Sequence, residues 1–160
     1  MKQSLLAITF ITLLTLTVYA QKPNGSIRQK YNFNSSWLVK VGDFAEAKNA
    51  KYNDSGWKKV TLPAAFNEDQ AFKVSILEHT DTVVWYRKHF RLPKTAQGQK
   101  IFLEFEGIRF AGEFFLNGKS IGMHENGVMA FGFDISDKVN YHGENILAAR
   151  IDNSWRYKEK

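Results

Sequence analysis

Asn117-Gly118 sits between two apolar runs, in the stretch FEGIRFAGEFFLNGKSIG from Phe105 to Gly122. A two-residue type I′ turn needs positive φ at both central positions, and Asn-Gly adopts that geometry at low cost. The pair therefore predicts a β-hairpin, with Ala111 to Leu116 as one arm and Ser120 to Met123 as the other. Gly107 and Gly112 are expected to mark bends or bulges where a side chain would clash. A chain built around such a hairpin must find further strands to cover it.

Those strands are legible as short alternating runs between turn signals. WLVKV (Trp37 to Val41) and WKKVTLP (Trp57 to Pro63) are two of them. TVVWYRKHFRLP is the clearest: Val84, Tyr86, Phe90 and Leu92 share one face, and Trp85, Arg87, His89 and Arg91 share the other. Successive side chains of a strand point to opposite sides, which gives this period of two. KIFLEFEG turns Ile101, Leu103 and Phe105 inward against Phe102, Glu104 and Glu106. NILAARIDN (Asn145 to Asn153) is a late strand. Many short strands and no long amphipathic helix predict an all-β sandwich.

The first residues read differently. Lys2 precedes an apolar stretch from Leu5 to Val18, and Val18-Tyr19-Ala20 resembles a small-residue cleavage site. Residues 1–20 are expected to be a signal peptide removed before Gln21, because the run is short for a spanning helix. Residues 21–34 read as a flexible polar arm and 35–160 as one domain. The product is expected to be exported, periplasmic or secreted, and free of the membrane after cleavage. The chain has no cysteine, so it has no disulfide and no thiolate metal site. Its net charge of +6 comes from scattered residues, and nucleic-acid binding is not expected.

Chemistry-bearing groups are few. Glu104 and Glu106 lie two apart on one strand, a spacing that solvated faces share with paired catalytic acids. His79, Asp81 and His89 lack the convergence a metal needs. There is no G-x-S-x-G nucleophile and no phosphate-cradling glycine loop. Asp152, Asn153, Trp155 and Arg156 cluster after the last strand. An aromatic face with amide and carboxylate groups suits a sugar, whose ring faces stack while its hydroxyls form hydrogen bonds. A hydrophobic latch on Trp155 is the other reading of the same cluster.

Taken in order, WKKVTLP, WYRKHFRLP, FEGIRFAGEFFLNGKSIG, FGFDIS and NILAARIDNSW resemble the amino-terminal domain of glycoside hydrolase family 2. PAAFNEDQAF before the tryptophan strand is similar to exported, β-galactosidase-like members. The resemblance covers Trp37 to Trp155. It implies a jelly-roll β-sandwich that binds or frames sugar, followed by an immunoglobulin-like domain and a TIM barrel with two catalytic glutamates. None of those glutamates matches a position here, so the resemblance implies no catalytic residue, metal or cofactor in this chain. It implies a fragment that lacks the sandwich's last strand. Asp152, Asn153, Trp155 and Arg156 match the loop that turns toward the barrel's sugar pocket. Arg109 matches the family's FEG-x-R signature and is expected to tie the bend to a carboxylate, with Glu106 and Glu113 exposed or paired to it. Carbohydrate is the implied partner, through the whole enzyme. A free-standing carbohydrate-binding module is the alternative.

Overall fold

The computed structural model describes residues 28–67, 82–125 and 129–154. The chain divides into two units, Met1–Tyr31 and Asn32–Lys160. Of the first, Arg28 to Tyr31 are described, and the Tyr31 hydroxyl donates to Gln29 Oε1 at 2.6 Å. The expected signal peptide, residues 1–20, lies outside the described residues.

Among its described residues the second unit is all-β. Its strands are β1 (Trp37–Val41), β2 (Lys58–Val60), β3 (Val83–Phe90), β4 (Phe102–Phe105), β5 (Ala111–Leu116), β6 (Lys119–Glu125), β7 (Phe131–Asp134) and β8 (Asn145–Asp152). Two 3-10 turns, Ala45–Lys48 and Lys94–Ala96, are the helical pieces among the described residues. The alternating runs in the sequence each hold one strand, because each offers apolar side chains to one side at a period of two. Six strands form one antiparallel sheet in the order β2-β1-β3-β8-β5-β6, and β4 pairs with β7 in a second. The last strand, β8, thus lies at the centre, with Tyr86 and Phe114 flanking Ala149.

The Asn-Gly hairpin forms as expected. Leu116 pairs with Lys119, and Asn117 and Gly118 carry φ of 52° and 85°. Asn117 also locks the turn to β8. Its Nδ2 donates to Asn145 Oδ1 at 2.9 Å, and its Oδ1 accepts from the Ile146 N–H at 2.9 Å. The glycine expectation needs correcting at Gly112, while Gly107 lies in the bend after β4. Gly112 is regularly paired with His124 and Ile151; a Cβ there would lie 2.7 Å from Ile108 Cδ1, so it permits close packing without a bulge. The register instead shifts between Phe114 and Phe115, opposite Gly122. Gly122 has φ +150°, and the Phe133 ring fills the place a Cβ would take.

Both faces of the large sheet are covered. Leu116, Leu147, Phe114, Ala149 and Ile151 point to the inner side, where Leu103, Phe105, Phe131 and Phe133 from the small sheet meet them. The inward assignment of Ile101, Leu103 and Phe105 holds, with Phe102 and Glu104 exposed. On the outer side, Trp85, Ala148, Leu38 and Phe115 pack against Phe44, Ala47, Tyr52 and Trp57 from the segment between β1 and β2. That segment has no strand to cover the sheet with, and polar contacts fasten it. Arg87 is fully buried, gives its Nε to Asp54 Oδ2 at 2.6 Å, and gives Nη1 to the carbonyls of Ala47 and Asn49. His89 lies on the same carboxylate, Nε2 to Asp54 Oδ2 at 2.8 Å, with Nδ1 3.4 Å from Glu144 Oε2.

Candidate functional site

The strand registers gather several loops at one end of the sandwich. Asp152 pairs with Val83 on one side and Ala111 on the other, and Ala111 pairs with Glu125. The bend 106–110 that leads into Ala111, the turn after Val41 and the segment 152–154 therefore lie together. The Gly42 N–H donates to Val83 O at 2.8 Å, and the Asn153 N–H to Thr82 O at 2.9 Å, which close the ends of these strands onto one another.

Arg150 organises this end from the outer face of β8. Its Nε and Nη2 reach the two oxygens of Asp43 at 3.0 and 2.6 Å, a two-pronged contact. Its Nη1 lies 3.3 Å from Glu113 Oε1 and 3.3 Å from Asp152 Oδ2. Trp85 Nε1 adds a hydrogen bond to Asp43 Oδ1 at 3.2 Å. The Arg150 hydrogen bond holds the Asp43 carboxyl below its ordinary value, against a smaller upward push from burial. The same pair raises the Arg150 guanidinium, so it stays charged throughout.

Asp152 and Asn153 are 3% and 1% exposed. The Asp152 carboxylate is committed: one oxygen takes Arg150, and Oδ1 accepts the Ser154 N–H at 2.9 Å. It thereby shapes the turn at the strand end. Asn153 Oδ1 and Ser154 Oγ are buried and have no hydrogen-bond partner among the described residues. Buried polar atoms of that kind are costly unless something supplies a partner. Trp155 and Arg156, the other two residues singled out from the sequence, lie outside the described residues.

Two expectations about charged groups change. Glu113 pairs with Arg150, since both project from the outer face across the Glu113↔Arg150 register. Arg109 is exposed, and its guanidinium lies 5.0 Å from the centre of the Phe110 ring, where Phe110 has φ 58°. Among the described residues no carboxylate is paired with it. Glu104 and Glu106 are exposed. His79 and Asp81 lie outside the described residues, and His89 is engaged by Asp54 and Glu144. No group of three or more possible metal ligands occurs among the described residues. Arg150 itself was not singled out from the sequence. Its signal was there: the one basic residue among the apolar residues of ILAARID.

An all-β sandwich whose loops converge beside a late, central strand is the architecture of galactose-binding-like domains. The family model described as the glycosyl hydrolase 2 galactose-binding domain-like family matches residues 57–160, and the chain belongs to that family. A β-glucuronidase from Formosa agariphila is 36% identical over 135 residues, spanning 80% of this chain and 14% of that protein. A β-galactosidase from Thermoanaerobacter pseudethanolicus is 32% identical, spanning 79% of this chain and 17% of that protein. The solved structure of a family 2 β-glucuronidase superposes with a TM-score of 0.69 at 35% identity, over 77% of this chain and 14% of that one. The chain therefore spans about one-seventh to one-sixth of the length of these relatives.

Proposed function

We propose that this chain serves as the non-catalytic leading domain of an exported family 2 glycoside hydrolase, β-galactosidase-like and retaining. In that role the sandwich supports a catalytic barrel, and the Asp152–Ser154 strand end with Trp155 and Arg156 helps shape the barrel's sugar pocket. The observation that carries this is one of span: a family match over residues 57–160 beside relatives of which the chain covers 14% and 17%. The relatives' names, β-glucuronidase and β-galactosidase, support terminal β-glycosides as the substrate class.

Sequencing the gene past the Lys160 codon tests this. The expected result is an open frame that continues into barrel-coding sequence. A stop codon at that point overturns it and leaves the free-standing carbohydrate-binding module, which retardation of residues 21–160 in polysaccharide gels would then support.

A further inference from the structure

We infer that Arg150 is a positioning residue for the sugar pocket, acting through Asp152 on the turn that carries Asn153 and Ser154. This rests on the reading of the chain as part of a family 2 glycosidase. Of the residues expected at that pocket, Arg150 touches Asp152, and through it the effect reaches Asn153 and Ser154. The guanidinium is anchored on one side by Asp43, at 2.6 and 3.0 Å, so its orientation is fixed before it meets Asp152. Its Nη1 then holds Asp152 Oδ2, which leaves Oδ1 aimed at the Ser154 N–H. The Asn153 N–H is separately tied to Thr82 O. The strand end is thus supported by its pairing with β3 and β5 and, at the turn, through Asp152 by the guanidinium. The polar atoms it carries without partners among the described residues are Asn153 Oδ1 and Ser154 Oγ.

A planar fork is required. Arg150 serves three carboxylates at once with geometrically fixed N–H groups, and Asp43 takes two of them. A lysine keeps the charge but cannot hold Asp43 with two prongs while reaching Asp152. The supporting contact would remain as electrostatic attraction and lose its direction. Small displacements of groups that frame a substrate reduce productive binding far more than they reduce stability.

The test is steady-state kinetics of the enzyme encoded by the uninterrupted gene, on 4-nitrophenyl β-D-galactoside and β-D-glucuronide. For Arg150→Lys the expected result is a rise in KM of about fivefold with kcat nearly unchanged, as loss of uniform binding requires. Asp43→Asn, at a half-exposed carboxylate, should raise KM in the same sense by about twofold with only a small fall in melting temperature. It guards against an Arg150 variant that fails to fold. Unchanged KM in both variants, or a lowered melting temperature with unchanged KM, overturns the positioning role while leaving the sugar-pocket reading intact. An enzyme that hydrolyses neither substrate overturns both.

Discussion

The two faces of the six-stranded sheet are buried by opposite means. On the inner face, a second sheet supplies an apolar counter-surface, and rings from four phenylalanines interlock there. Phe105, Phe131 and Phe133 lie within 4.8 to 5.4 Å of one another or of Phe114 in the closest pairs. On the outer face, the cover is an irregular segment with one short 3-10 turn, fastened by Arg87, Asp54, His89, Asp43 and Arg150. Apolar contact is non-directional and tolerates a sheet sliding on a sheet. A segment without a regular face cannot rely on that, because its own carbonyls need donors. Arg87 meets that need by donating to Ala47 O and Asn49 O. The comparison teaches that burial of charge here substitutes for the missing regularity of the cover.

The comparison can be broken at the inner face first. Phe114→Ala removes a fully buried ring from the phenylalanine cluster and is expected to cost about 4 kcal/mol in urea unfolding. A loss below about 1 kcal/mol would mean that the small sheet is not a true counter-surface. At the outer face, Arg87→Met leaves two carbonyls without their donor and Asp54 with His89 alone of its two side-chain partners. The expected loss is about 3 kcal/mol, as for a buried pair with one partner removed. Near-neutrality would show that the segment is held by Trp57 and Tyr52 contacts instead.

A smaller effect tests the seam between hairpin and sheet. Asn117→Gly keeps the turn's φ but removes the bonds to Asn145 and Ile146, and a loss of about 1.5 kcal/mol is expected. Equal stability would assign the asparagine to turn conformation alone.

Acid should separate the faces further. Burial raises the Asp54 carboxyl, but hydrogen bonds from Arg87 and His89 outweigh it and leave it below 3.8. Asp43 is likewise lowered, chiefly by Arg150. A carboxyl depressed in the folded state contributes stability above its unfolded value, and that contribution fades as pH falls from 3.8 through the folded value. Unfolding midpoints followed downward from pH 5 should therefore fall more steeply in the wild type than in Asp43→Asn. Parallel curves would remove Asp43 from the outer-face account. The smallest effect belongs to the exposed Lys100–Asp134 pair on the small sheet, where Lys100→Ala should leave the midpoint unmoved.

Much of the inner face was legible because it obeys period two. The inward residues Leu103 and Phe105, the strand bounds of Trp37 to Val41 and the Asn-Gly turn need information from a few neighbouring residues alone. The outer face was not legible for the same reason reversed. Arg87 lies in the alternation as a charged residue, and its burial depends on Asp54, 33 residues away on a segment with no period. Glu113 was assigned to exposure or to Arg109 because Arg150 meets it across a register that no local pattern announces. At the site, the acid-amide pair Asp152-Asn153 was visible. Its division of labour was not: the carboxylate holds the turn, and the amide oxygen finds no partner among the described residues.

The order of strands in the large sheet also has a meaning for biosynthesis. β8 joins β3 to β5, yet a ribosome delivers it after both. Until residues 145–152 emerge, β3 and β5 each present an unsatisfied hydrogen-bonding edge, and the sheet exists as two halves without a bridge. Pairing across such separations is slow relative to local contacts, and open edges in that interval invite wrong partners. Pairing of β8 therefore joins the two halves in a single step, and the interval before that step is when a holding chaperone has most to protect.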